Sequence, residues 1–177
     1  MPTEQELRLH RCCFTGHRPE SLYLYDEEDA VYEHIYKAVE DAIFDQYTVF
    51  MCGGCRGGDF LFGEAVAELR NTYPEIRLVC VLPFRGQAEL WSGEERNRYA
   101  DLLDTADEVI CLNDGYTKSC MHERNRYMVD RSSLLIAAYN GTKGGTDYTL
   151  SYAKRQGLRT VNVLTVKGEI STQLSFE

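Results

Sequence analysis

The stretch YTVFMCGGCRGGDFLF (residues 47–62) admits two incompatible readings, and the choice between them decides the fold. Cys52 and Cys55 have the C-x-x-C spacing of a redox or zinc motif. Gly53, Gly54, Arg56, Gly57 and Asp59 have the make-up of a turn that cradles phosphate. The run before the turn is continuously apolar and β-rich, the mark of a strand covered on both faces. After it, Asp59 is a good N-cap, and Leu61, Phe62, Ala65, Val66 and Leu69 recur at helical spacing. The thiol reading fits less well. Closed zinc sites bring two local pairs, and the remaining candidates, Cys120 and His122, are too tightly spaced for a second one. Cys52 also ends an apolar strand, so its side chain is expected in the core rather than beside Cys55. The stretch therefore reads as strand, ligand-facing turn and helix, with no metal site, and Cys55 is a loop thiol whose role the sequence leaves open.

The totals frame this unit. A chain of 177 residues makes one domain, 1–177, with room for a core. Its formal net charge is −9, with acidic residues along the whole length. That counts against a nucleic-acid surface, which needs clustered Lys and Arg to release counterions. No long apolar run and no charged-then-apolar leader is visible, so the reading is neither membrane-spanning nor exported. Of the seven cysteines, Cys12, Cys13, Cys52, Cys80 and Cys111 lie in apolar runs. They read as buried, reduced thiols of a cytoplasmic protein rather than a disulfide framework.

The same alternation of strand and helix recurs along the chain. Strands are expected over 11–17, 47–53, 76–84, 107–113, 133–140 and 158–166. Helices are expected over 27–46, from Asp59 onward, and over 94–105, 121–131 and 146–156. Six strands separated by helices give a three-layer α/β/α sandwich with a mainly parallel sheet, because parallel neighbours need crossover helices. Right-handed crossovers put every strand C-terminus on one edge, where such sheets bind ligands.

The unusual residues fall in the loops of that edge. Gly16, His17 and Arg18 follow the first strand; Gly53 to Asp59 follow the second; Pro83, Phe84 and Gln87 follow the third. Asn140, Gly141, Gly144, Gly145 and Thr146 follow the fifth. Glycines let a backbone approach a ligand, and free N–H groups at a helix start favour anions, although the same glycines also suit tight turns. Arg18 and Arg56 are candidates to pair phosphates or, alternatively, edge carboxylates. Asp59 caps a helix or meets a ribose hydroxyl; Phe84 and Trp91 wall a base or pack beneath the loop. His17 is placed to donate to phosphate or to act as an acid.

Taken together, CCFTGHRP, GGCRGGD, LPF..Q..W, RNRYMVD and GGTDYTLSYA resemble the YpsA-like family of the SLOG superfamily over roughly residues 8–166. That superfamily includes the LOG (lysine decarboxylase-like), DprA/Smf and molybdenum cofactor carrier proteins. The resemblance implies a Rossmann-like sandwich with strand order 3-2-1-4-5-6 and a nucleotide-type ligand, a nucleoside phosphate or an ADP-ribose/NAD-type molecule, held for sensing or regulation. LOG enzymes cleave the N-glycosidic bond of nucleoside 5′-monophosphates and couple M-H-x-R to P-G-G-x-G-T-x-x-E. Here MHER (121–124) puts Arg124, followed by Asn125, at the position of their functional arginine. Gly145 and Thr146 fit the G-T, but Thr149 stands where the glutamate is expected. Hydrolysis would then need a substitute carboxylate, Asp59, Glu123 or Asp147. Binding thus ranks first and hydrolysis second, ahead of DprA-like single-strand DNA binding or a molybdopterin carrier. A homodimer is implied only by analogy with LOG proteins.

Overall fold

In a computed structural model, which describes residues 1–167, the chain folds around one six-stranded, all-parallel sheet. The last ten positions covered by the single-domain reading, 168–177, lie outside the described residues. The strands are β1 (Arg11–Gly16), β2 (Val49–Cys52), β3 (Arg77–Leu82), β4 (Glu108–Cys111), β5 (Leu134–Ala138) and β6 (Arg159–Asn162). The helices are α1 (Glu4–Arg8), α2 (Pro19–Leu22), α3 (Glu28–Phe44), α4 (Gly58–Arg70), α5 (Gly93–Thr105), α6 (Cys120–Asp130) and α7 (Gly145–Arg155). The α/β sandwich read from the sequence is the one observed.

Alternate residues of each strand feed two cores, as the two-residue period of a strand requires. Cys12, Phe14, Phe50, Cys52, Leu78 and Cys80 point toward α3, α4 and α5, while Cys13, Met51, Val79, Val81 and Leu135 point toward α6 and α7. Phe62 of α4 stacks on Phe14 of β1 with ring centroids 4.8 Å apart. Each such fully buried side chain stabilises the fold by about 1.5–3 kcal/mol. Two short helices were not anticipated. The Thr3–Glu6 capping box, with reciprocal bonds of 3.2 and 2.6 Å, starts α1, and Pro19 at the first helical position starts α2.

The strand order is β4-β3-β2-β1-β5-β6, which corrects the expected 3-2-1-4-5-6. β4 does not sit beside β1; it takes one more step outward and pairs with β3. Burial explains the difference. All five residues of β5 are buried, so LLIAA needs a neighbour on each side, whereas EVIC of β4 is largely exposed and suits an edge. Cys111, expected in the core, is accordingly exposed. The chain therefore reverses direction across the sheet between β1 and β5. The ligand crevice of an open parallel sheet opens at such a switch point.

Candidate functional site

Three loops meet above β1 and β5, and their own contacts explain much of the glycine. Arg124 of α6 is buried and reaches over the end of β2, donating from its guanidinium to the Gly53 carbonyl at 2.7 Å and to Asn125 Oδ1 at 2.7 Å. A Cβ on Gly53 would lie 1.9 Å from that guanidinium, so only glycine admits Arg124 here. Gly57 has φ 95°, and a Cβ there would come within 2.7 Å of the His17 carbonyl, which accepts the Gly58 N–H at 3.1 Å. Gly57 is the N-cap of α4. Asp59, expected in that role, instead accepts the Cys55 N–H at 2.8 Å and so closes the turn from inside the helix.

His17 is the tie between loops. Its Nε2 accepts the Asn140 N–H at 3.2 Å, so the neutral ring carries its proton on Nδ1. Burial lowers its pKa below the ordinary histidine value. Asn140 is committed on every side: its side chain donates to the Ser21 carbonyl at 2.7 Å and accepts the Thr142 N–H at 3.1 Å. Both residues tie the loops of the edge together, and the His17 Nδ1–H makes no hydrogen bond among the described residues.

Above them lies an inner lobe of about 320 Å³, lined by Gly16, His17, Arg18, Asp59, Arg124 and Asn125 from one side and by Lys143, Gly144, Gly145 and Thr146 from the other. Arg18 and Lys143 are exposed, and their side chains make no hydrogen bond or ion pair among the described residues. The first turn of α7 opens into the same space, and a Cβ on Gly144 or Gly145 would meet nothing within 4 Å. Asp59 is the one carboxylate of this lining. Burial raises its pKa, against the opposing pull of the Arg124 charge and of the Cys55 and Gly53 N–H groups. Neither Glu123 nor Asp147 reaches this lobe, and Glu123 is engaged by Ser119 and Asn113. Thr149 lies on the buried face of α7, its hydroxyl donating to the Gly145 carbonyl at 2.9 Å.

An outer lobe of about 540 Å³ shares Arg18, Cys55 and Met121 with the inner one. Phe84, Gln87, Trp91 and Arg56 line it, joined by Leu90, Ser92, Glu95 and Tyr116. Phe84 and Tyr116 meet edge to face with centroids 5.6 Å apart, and Trp91 packs edge-on against Phe60 and Tyr99. Arg56 is held by Glu20 at 2.5 Å and Glu95 at 3.4 Å, the ion-pair alternative weighed for it. Three candidates line neither lobe besides Gly53, Gly57 and Asn140. Gly54 packs near Leu82 and Tyr99, Pro83 accepts from Asn113 at 2.9 Å, and Gly141 lies under Val166. Cys52 faces Cys80 at 3.9 Å in the core, so the two cysteines of the C-x-x-C do not share a face.

Sequence reasoning passed over Lys143, Met121 and Tyr116. A lysine directly before a Gly-Gly helix start was the available signal for Lys143. For the other two no local signal exists, since only the fold brings them to the edge.

Comparison with known proteins agrees with this fold. A family model, YpsA, described as the YspA SLOG family, matches residues 12–167. The SPbeta prophage-derived protein YoqJ of Bacillus subtilis (strain 168) is 31% identical over 118 residues, 60% of this chain and 69% of that protein. A UPF0398 protein of Halalkalibacterium halodurans is 29% identical over 153 residues, covering 80% of this chain and 79% of its own. Among solved structures, DNA processing protein A (DprA) from Streptococcus pneumoniae superposes with a TM-score of 0.60 at 16% identity. The match covers 87% of this chain and 50% of that one, so this chain spans half its length. DNA processing protein A from Helicobacter pylori, described for its single-stranded DNA binding mode, gives a TM-score of 0.52 at 13% identity, covering 98% and 83% of the two chains. At these identities the likeness is one of fold.

Proposed function

The chain belongs to the YpsA SLOG family, and from that premise we propose that it binds a nucleotide or nucleotide-derived ligand, a nucleoside phosphate or ADP-ribose/NAD-type molecule, as a sensor or regulator. One observation carries the reading. In a chain of net charge −9, Arg18 and Lys143, unpaired among the described residues, join Arg124 and the start of α7 around one cavity at the switch point. Unpaired cations and free helix N–H groups facing one space suit phosphate oxygens. The ligand's phosphate end lies in the inner lobe and its ring in the aromatic outer lobe.

Thermal melts with ribose 5-phosphate, nucleoside mono- and diphosphates, ADP-ribose and NAD test this. Stabilisation by phosphate-bearing ligands, lost in Lys143→Ala and Arg18→Ala, is the expected result. An unchanged melting temperature across the panel would reject it.

A second reading, N-glycosidic hydrolysis, rests on Asp59 being the carboxylate of the inner lobe's lining. Water would add its oxygen to the ribose C1′ while the base leaves with a proton. An ionised carboxylate beside that centre stabilises the oxocarbenium character that develops. Free base released from a nucleoside monophosphate, and abolished in Asp59→Asn, would establish hydrolysis. DNA binding draws on the fold shared with DNA processing protein A, and the overall negative charge opposes it. No described helix is long and apolar enough to cross a membrane, and five cysteines are buried as free thiols. A reducing cytoplasm suits such a protein.

A further inference from the structure

We infer that the floor of the inner lobe reads the ligand's sugar: Thr15, Asn125 and Thr146 hydrogen-bond the hydroxyls of a ribose, so that ribonucleotides bind in preference to counterparts lacking those hydroxyls; this rests on the nucleotide reading of the site. Three separate elements bring these residues together. Cys13 of β1 faces α6 and α7, and Thr15, two residues on, faces the same way by the period of the strand. Asn125 lies on the buried face of α6 and Thr146 on that of α7. All three line the inner lobe.

Thr15, Asn125 and Thr146 are only 8%, 9% and 4% exposed, yet each keeps a hydrogen-bonding group uncommitted. Arg124 Nε can only donate, so Asn125 turns Oδ1 toward it and leaves its NH2 without a partner among the described residues. Neither threonine hydroxyl has a partner among the described residues, whereas that of Thr149, three residues along α7, donates to the Gly145 carbonyl. Among the described residues, Gln87 Oε1 alone is both partnerless and sealed from solvent. The two hydroxyls and the Asn125 NH2 are partnerless but not sealed, and the open space that these three residues share is the inner lobe.

Chemistry separates this floor from the rim. Arg18 and Lys143 are exposed and, with the start of α7, carry the charge that suits phosphate. Deeper in are two hydroxyls, an amide NH2 and the Asp59 carboxylate, a set that both donates and accepts. A ribose hydroxyl does both as well. A phosphate dianion only accepts, and the carboxylate repels it. The lobe's 320 Å³ falls within the range of small-molecule pockets, about 300–1,000 Å³, and exceeds what one phosphate group fills.

Calorimetric titrations would rank AMP, GMP, CMP and UMP, then compare the tightest binder with its 2′,3′-dideoxy counterpart. We expect the dideoxy compound to bind roughly tenfold or more weakly, because the buried groups that met the hydroxyls go unmet. In Thr15→Val and Thr146→Val, which keep the side-chain shape and remove the hydroxyl, that ratio falls toward one. Equal affinity of the wild-type protein for ribo- and dideoxynucleotide overturns the inference even if neither variant folds. A ratio unchanged in both folded variants overturns it too, and either result leaves the phosphate reading intact. Binding of no phosphate ligand, or binding indifferent to Lys143→Ala, overturns both.

Discussion

The two glycine-rich loops of the edge have the same composition and opposite reasons for it. In the loop after β2, the protein itself occupies the space that side chains would need. The Arg124 guanidinium fills the position above Gly53, and the His17 carbonyl fills that beside Gly57. In the loop after β5, Gly144 and Gly145 face open space at the start of α7, with Lys143 beside them. The first loop is a packed joint that carries Arg124 and Asp59. The second is a surface left bare. A Gly-Gly pair thus says that a side chain is unwelcome, and only the neighbouring atoms say whether protein or ligand excludes it.

The largest effect that could break this contrast is Gly53→Ala. The new methyl displaces a buried guanidinium, whose charge is the largest influence holding the Asp59 pKa down. Breaking such a buried arrangement costs about 3–5 kcal/mol, on the order of 10 °C in Tm for a chain of this size. Gly57→Ala should cost less, about 2 kcal/mol, from the positive φ of 95° and the approach to the His17 carbonyl. Denaturant unfolding of both variants checks the order. A Gly53→Ala protein as stable as the parent would remove the packed joint from the comparison.

How far the sequence reached follows the same division between local and distant causes. The strands were legible because VFMC, LVCVL and LLIAA are uninterrupted apolar runs, and the helices because apolar residues recur at their period. The loops that meet at the edge were legible too, since parallel topology forces them there. The place of β4 was misread because order depends on which run most needs two neighbours, a comparison between EVIC and LLIAA rather than a property of either. Asp59 was read as a cap because its residue type fits one, but Gly57 takes the conformation that starts α4. The Arg124–Gly53 contact joins residues 71 positions apart, and the Gln87–Gly53 contact joins residues 34 apart. Neither leaves a trace in local pattern.

A smaller effect tests the tie between the two loops. His17 accepts the Asn140 N–H, and burial holds its pKa below the ordinary value, near 6.5. The unfolded chain therefore takes up a proton before the folded one does. The stabilisation from His17 is complete above that ordinary value and is lost as pH falls through the lower folded pKa. Melts at about pH 7.5 and pH 5.5 should show a drop for the parent that is shallower in His17→Gln, whose side chain does not titrate. Equal drops would mean that the tie does not depend on the neutral ring.

The smallest change in stability is expected for Gly145→Ala, and it separates the two loops most cleanly. Gly145 is the first residue of α7, its φ is not positive, and an added Cβ meets no atom within 4 Å. Alanine is the better helix former by up to about 1 kcal/mol in a helix interior, so the folded protein should be unharmed or slightly stabilised. If the bare surface serves a phosphate, however, the methyl stands where its oxygens approach the α7 N–H groups. Affinity for a phosphate-bearing ligand should then fall roughly tenfold while Tm holds or rises. A loss of binding with no loss of stability is a result the loop after β2 cannot give, because there the same substitution must disturb the fold first. Unchanged affinity in Gly145→Ala would make the second loop an ordinary turn and move the phosphate end toward Arg18 and Arg124 alone.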